Sequence, residues 1–249
     1  MPELRLKAAG FSHVGMKRKQ NQDNFILMPE MRLFVVADGM GGHKGGETAS
    51  YLAVHAIAEF FKTGEGSKHT GDPGVRIQRA VLAANQAIQA RGTIDATLQG
   101  MGTTCVALYF SGENLFVGHV GDSRCYLLHP NRVWQVTRDH SLVQEKLRAG
   151  LISRAQLKTD RMKNVITRSV GFEPDVDVDV YSLKPHPGDV FVVCSDGLSG
   201  MIEDTDIRDI IDECVFRQDS LEAAVKRLIE AANAHGGDDN VTAVVVRVV

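Results

Sequence analysis

Apolar residues gather in short runs bounded by Gly, Pro, Asn or Asp. Residues 33–37 (LFVVA), 103–110 (TTCVALYF), 114–120 (NLFVGHV), 124–128 (RCYLL), 132–137 (RVWQVT), 176–182 (VDVDVYS), 190–195 (VFVVCS) and 241–249 (VTAVVVRVV) are rich in β-branched and aromatic side chains and predict strands. VDVDVYS alternates strictly and should be half-exposed, whereas VFVVC is apolar throughout and should be covered on both faces. Three stretches carry apolar residues at three-to-four spacing and predict helices: 46–61, 75–90 and 220–234. The last has Asp219 three before Glu222, a capping-box-like start, and Gly236 just past its end. Segment 139–169 is polar and helix-prone between two strands, and reads as an insertion.

Strands come in clusters with short turns, and helices in separate blocks. That is not the regular alternation of a parallel sheet. It predicts an α+β fold of antiparallel sheets with helices on their outer faces. With no repeat, low-complexity tract or linker, and only a Gly-rich loop at 63–74, the chain is expected to form one domain over residues 1–249. Its 249 residues are 43% apolar and 24% charged, ordinary globular values. Lys plus Arg number 28 against 31 Asp plus Glu, net −3, which gives no electrostatic case for nucleic acid or an anionic membrane. The N-terminus lacks a signal-like apolar run, and no apolar run is long enough to span a bilayer. The expectation is a cytoplasmic location. Cys105, Cys125, Cys194 and Cys214 form no CxxC pair and read as buried free thiols. A cysteine phosphatase needs Arg six residues beyond its nucleophile; Ser111, Asn131, Gly200 and Ser220 stand there instead.

The acids matter by placement. LFVVA ends in Asp38-Gly39, NLFVGHV in Gly121-Asp122 and VFVVCS in Asp196-Gly197, while Asp238-Asp239-Asn240 precedes the final strand. Each Asp-Gly alone can be a simple turn. In antiparallel neighbours, however, the end of one strand lies beside the beginning of the next, so these carboxylates can converge at one sheet edge. Clustered carboxylates repel and need neutralising cations. Oxygen ligands suit Mg²⁺ or Mn²⁺, and no HExxH or Cys/His spacing supports zinc. Two such cations ~3.5–4 Å apart activate a water for in-line attack on phosphorus, with Arg suited to the phosphate oxygens. The residues therefore point to metal-dependent phosphoryl hydrolysis. A P-loop and a GxSxG elbow are both absent.

Eight segments in order carry a resemblance across nearly the whole chain: GMKRKQNQDNF (15–25), VVADGMGGHKGGETAS (35–50), MGTTCVAL (101–108), GHVGDSRCYLL (118–128), TRDHSLVQEKLRAG (137–150), NVITRSVG (164–171), CSDGLSG (194–200) and GGDDNVT (236–242). The sequence resembles the metal-dependent Ser/Thr protein phosphatases of type 2C in their compact bacterial form. The resemblance implies a four-layer sandwich, two central antiparallel β-sheets flanked by α-helices. It implies a centre for two Mn²⁺ or Mg²⁺ ions, in which Asp38 bridges both, the Gly39 carbonyl binds one, and Asp196 and Asp239 complete the other. Asp23 would act near the site through water, and Asp122 would hold a third, weaker ion with Asp196. Arg18 would clamp the substrate phosphate, and 139–168 would be a flap beside the site. Animal relatives place a His two residues after the first metal aspartate; here Met40 stands there and His43 is the nearby candidate general acid. His140 reads as structural, Asp238 as a solvated neighbour, and Asn240 and Thr242 as orienting Asp239.

The resemblance implies hydrolysis of phosphoserine and phosphothreonine on proteins, reversing a bacterial Ser/Thr kinase in cytoplasmic signalling, by a monomer without nucleic-acid or membrane partners. Two other readings are an inactive phosphoprotein-binding module, which would require lost ligands, and a two-metal phosphodiesterase, which the charge balance disfavours.

Overall fold

A computed structural model describes residues 4–63, 71–157 and 159–249, without the side chains of 42–44. Among the described residues eleven strands occur, in chain order β1 (Leu6–His13), β2 (Asp23–Met28), β3 (Leu33–Met40), β4 (Gly102–Thr103), β5 (Cys105–Ser111), β6 (Asn114–Val120), β7 (Arg124–His129), β8 (Arg132–Gln135), β9 (Asp179–Leu183), β10 (Val190–Cys194) and β11 (Val241–Val248). They form one sheet ordered β1-β11-β10-β7-β8 and a second ordered β2-β3-β5-β6-β9, with β4 paired to β3. Every pairing is antiparallel.

β10 is apolar at every position, and β3 is apolar from Leu33 to Ala37, because both faces are covered. On β3, Phe34 and Val36 face the other sheet, while Leu33, Val35 and Ala37 pack under helices α1 (Gly42–Lys62) and α2 (Pro73–Ile94). On β10, Phe191 and Val193 point between the sheets. Val190, Val192 and Cys194 meet the opposite helical layer of α4 (Asp196–Ser199), α5 (Asp204–Ile211) and α6 (Leu221–Ala234). The two-residue period thus divides each strand between an inter-sheet core and an outer core. Phe110 joins the sheets, its ring edge-on to Phe34 at 6.1 Å and to Phe191 at 5.9 Å. The antiparallel sheets with outer helices expected from the pattern, and the four-layer α+β sandwich that the resemblance implies, are observed. All four cysteines are buried and unpaired.

Several expectations need correction. Strands β1 and β2 and helix α5, which runs on into a wider π-type turn through Arg217, were not predicted. In VDVDVYS only 179–182 joins β9. Val176 and Val178 instead pack into the core beneath α1 and α2. The α6 cap is Ser220, whose Oγ accepts the Ala223 N–H at 3.2 Å; Asp219 adopts φ +51° and pairs with Lys7 and Arg247. The Gly-rich loop at 63–74 lies largely outside the described residues. Within 139–168, α3 (Leu142–Arg148) is anchored by a bridge between Ser141 and Ile166. Among the described residues no helix is long and apolar enough to cross a membrane.

Candidate metal centre

Antiparallel pairing brings the carboxylates to one edge. Asp38 sits inside β3, which runs two residues past it, rather than in a turn after the strand. Asp23 opens β2 and is directly opposite Asp38 in the β2–β3 register. Like charges directly opposite across a ladder are destabilising. Asp122 follows β6, Asp196 follows β10 as the first residue of α4, and Asp239 precedes β11. Asp23 thus lies within the carboxylate cluster, beside Asp38. Its Oδ2 accepts from Ser195 Oγ and Thr242 Oγ1, both at 2.7 Å.

The cluster is electrostatically incomplete. Asp23 Oδ1, Asp122 Oδ1 and Asp196 Oδ1 are buried without a hydrogen-bond partner. Burial, then the charges of Asp23, Asp196, Asp122 and Asp239, holds the Asp38 carboxyl well above the usual range. Burial and Asp196 push Asp122 to about 8. Asp23 rises to about 6, chiefly through burial, against the lowering hydrogen bonds of Thr242 and Ser195. Burial and Asp239 raise Asp196 as well. Buried, unpaired, mutually repelling oxygens are a donor set that hard divalent cations fit.

Hydroxyls that sequence reasoning passed over hold this edge. Thr104 Oγ1 accepts the Asp38 N–H at 3.0 Å and bonds Ser123 Oγ at 2.7 Å, while Thr103 Oγ1 donates to the Asp38 carbonyl at 2.8 Å. Their signal was a pair of threonines at the start of an apolar strand. Gly39 lies where α1 begins to pack: an added Cβ would stand 2.0 Å from the Gly46 carbonyl oxygen.

Arg18 lies in the 14–22 loop and donates from Nη2 to Asp239 Oδ2 at 2.7 Å. Asn240 pins that loop at both ends, accepting the Gln22 N–H at 2.8 Å and donating to the Val14 and Gln20 carbonyls at 2.9 and 2.8 Å. Thr242 orients Asp23. Of the two residues expected to orient Asp239, Asn240 does so through its backbone N–H, at 2.8 Å to Oδ1, whereas the Thr242 hydroxyl goes to Asp23 instead. Asp238 is exposed and pairs with Lys17 at 2.6 Å. The His43 side chain lies outside the described residues.

A cavity of about 690 Å³ opens from Asp122, Asp196 and Asp239 beneath the 139–168 segment, whose Val143, Leu147 and Lys163 line it. Arg124 stands at its wall, held by Asp139 through Nε at 3.0 and 3.1 Å and Nη2 at 2.7 Å.

Residues 9–241 match the family model described as Protein phosphatase 2C. The chain is 34% identical to the serine/threonine phosphatase stp of Listeria welshimeri over 235 residues, covering 93% of this chain and 92% of that protein. It is 36% identical to the serine/threonine protein phosphatase PstP of Mycobacterium tuberculosis over 247 residues, 99% of this chain but 46% of PstP. The crystal structure of the PstP catalytic domain in complex with two manganese ions superposes with a TM-score of 0.87 at 35% identity, covering 99% of each chain.

Proposed function

The chain belongs to the protein phosphatase 2C family, and from that membership we propose how its own residues carry out metal-dependent hydrolysis of phosphoserine and phosphothreonine on proteins. The observation that carries the proposal is the trio of buried, unpartnered carboxylate oxygens on Asp23, Asp122 and Asp196, gathered around the repelled Asp38. Asp38, Asp196 and Asp239, with the Gly39 carbonyl, would hold two Mn²⁺ or Mg²⁺ ions, and Asp122 with Asp196 a third, weaker one. When bound, these ions supply an activated water and charge neutralisation at the phosphate. Asp23, fixed by Ser195 and Thr242, would accept hydrogen bonds from water held near those ions. The test is phosphate release from a phosphoserine peptide before and after chelation.

Arg18 binds the phosphate by exchanging the Asp239 carboxylate for phosphate oxygens, an exchange between two acceptors that both suit a guanidinium fork. Arg18→Ala should raise KM about tenfold, equivalent to ~1.4 kcal/mol, while kcat changes little. Steady-state kinetics decide this; an unchanged KM would remove Arg18 from substrate binding.

The match over 9–241 supports treating the chain as one catalytic domain with 139–168 as its flap. Such an enzyme is complemented by a Ser/Thr kinase that supplies its phosphoproteins. Cytoplasmic signalling by a monomer, without nucleic-acid or membrane partners, completes the reading.

A further inference from the structure

Two histidines outside the aspartate cluster grip the turn that carries Asp122. His119 and His140 are both buried, with ring centroids 4.6 Å apart. His119 Nε2 contacts the Ser123 carbonyl at 3.1 Å, on one side of Asp122. On the other side, His140 Nδ1 accepts the Gly121 N–H at 3.1 Å, and the His140 N–H returns a bond to the Gly121 carbonyl at 2.8 Å. Gly121 has φ +104°, and an added Cβ would lie 2.6 Å from Thr104 Cγ2, so the turn is both left-handed and tightly enclosed.

The hydrogen bonds fix the His140 tautomer. A backbone N–H can only donate, so Nδ1 is the lone-pair nitrogen and the ring proton sits on Nε2, which donates to Asp179 Oδ2 at 3.2 Å. Asp179 Oδ1 accepts from Arg168 Nη1 at 3.0 Å, and the His140 carbonyl accepts the Thr167 N–H at 2.8 Å. A continuous chain therefore runs from the base of the flap, through Asp179 and the imidazole, to the amide preceding Asp122. His119, His140 and Asp179 have the composition of a cation site. With the Gly121 amide on Nδ1, however, His140 could ligate through Nε2 only as an imidazolate. The arrangement is that of an orienting histidine, not of a ligand.

We propose that His140 is a positioning residue for Asp122: it holds the Gly121–Asp122 turn so that the unpartnered Asp122 Oδ1 points into the cluster, and it ties that orientation to the base of the flap through Asp179 and Arg168. The inference rests on Asp122 being a ligand of the weaker cation. Partners that orient a metal ligand typically change affinity 10–100-fold when removed.

The test is Mn²⁺ binding to the metal-stripped full chain, followed by the electron paramagnetic resonance signal of free Mn²⁺. Glutamine at 140 places an amide donor at Nε2 but no acceptor at Nδ1, whereas asparagine places its oxygen at Nδ1. His140→Gln should weaken the weakest binding event about tenfold and leave the tighter events within about twofold; His140→Asn should weaken it by no more than about threefold. Asp122→Asn should abolish that event. If Asp122→Asn retains it, the ligand reading falls and the inference with it. If Asp122→Asn loses it while His140→Gln titrates like wild type, or both His140 variants weaken equally, or all events weaken together, His140 is only structural. A measurement on the unaltered protein guards against misfolding of the variants: the His140 Nδ1 and Gly121 amide resonances should shift as the weakest site fills. Resonances that ignore that event overturn the proposal.

Discussion

Asp38→Asn is expected to lower kcat/KM on a phosphoserine peptide by on the order of 10³-fold or more while making the metal-free protein more stable. The two effects share one cause. Asp38 faces Asp23 across the β2–β3 ladder and is repelled by Asp196, Asp122 and Asp239. Without cations its charge is penalised by burial and by all four neighbouring carboxylates. With cations it would be a ligand, as proposed above. Asparagine keeps the shape and one oxygen but removes the charge. Relief of ~1 kcal/mol would raise the metal-free melting temperature by about 2–4 °C for a chain of this size. The Asp38→Asn variant should also bind Mn²⁺ much more weakly. Activity close to wild type would remove Asp38 from the reaction, and an unchanged or lower melting temperature in chelator would contradict the repulsion.

The second large effect is the pH dependence of the stripped protein. Asp23 and Asp122 are raised to about 6 and about 8 in the fold, and Asp38 and Asp196 are raised as well. A carboxyl whose pKa is higher folded than unfolded contributes stability that is complete below its unfolded value and is lost as pH climbs through its folded value. The stripped protein should therefore melt progressively lower between about pH 5 and pH 8, with a slope of up to ~1.4 kcal/mol per pH unit for each proton involved. Saturating Mn²⁺ displaces those protons and removes the trend. The gain from Mn²⁺ should grow with pH, because binding releases fewer protons when the carboxyls are already ionised. Melting curves with and without chelator across that range check this; parallel curves would mean that the cluster holds no cation.

The parts of the fold legible in the sequence were those whose burial is two-sided. VFVVC and VTAVVVRV read as strands because both faces meet apolar layers. β1 escaped because its LKAAGFSH run is half-exposed, with only Ala9 buried. α5 escaped because Ile207 and Ile211 are set among aspartates that mask a three-to-four spacing too short to stand out. At the site, Asp38, Asp122, Asp196 and Asp239 were legible because each adjoins an apolar run, Asp38 directly after LFVVA although the strand continues past it. Their supports were not. Ser195 and Thr242 meet Asp23 from positions 172 and 219 residues away; Thr242 was expected to orient Asp239, and nothing local marks either hydroxyl as a partner of Asp23. His140 read as structural because its contact with the Gly121 amide, 19 residues away, leaves no local mark in the sequence.

The most direct test of the central claim, that this aspartate edge is a cation-dependent phosphatase centre, is phosphate release from a phosphoserine peptide measured in excess chelator and again across an Mn²⁺ titration. The account predicts no turnover in chelator and recovery with Mn²⁺ in the wild type but not in Asp38→Asn. Full turnover in chelator, or equal recovery in both proteins, would contradict it.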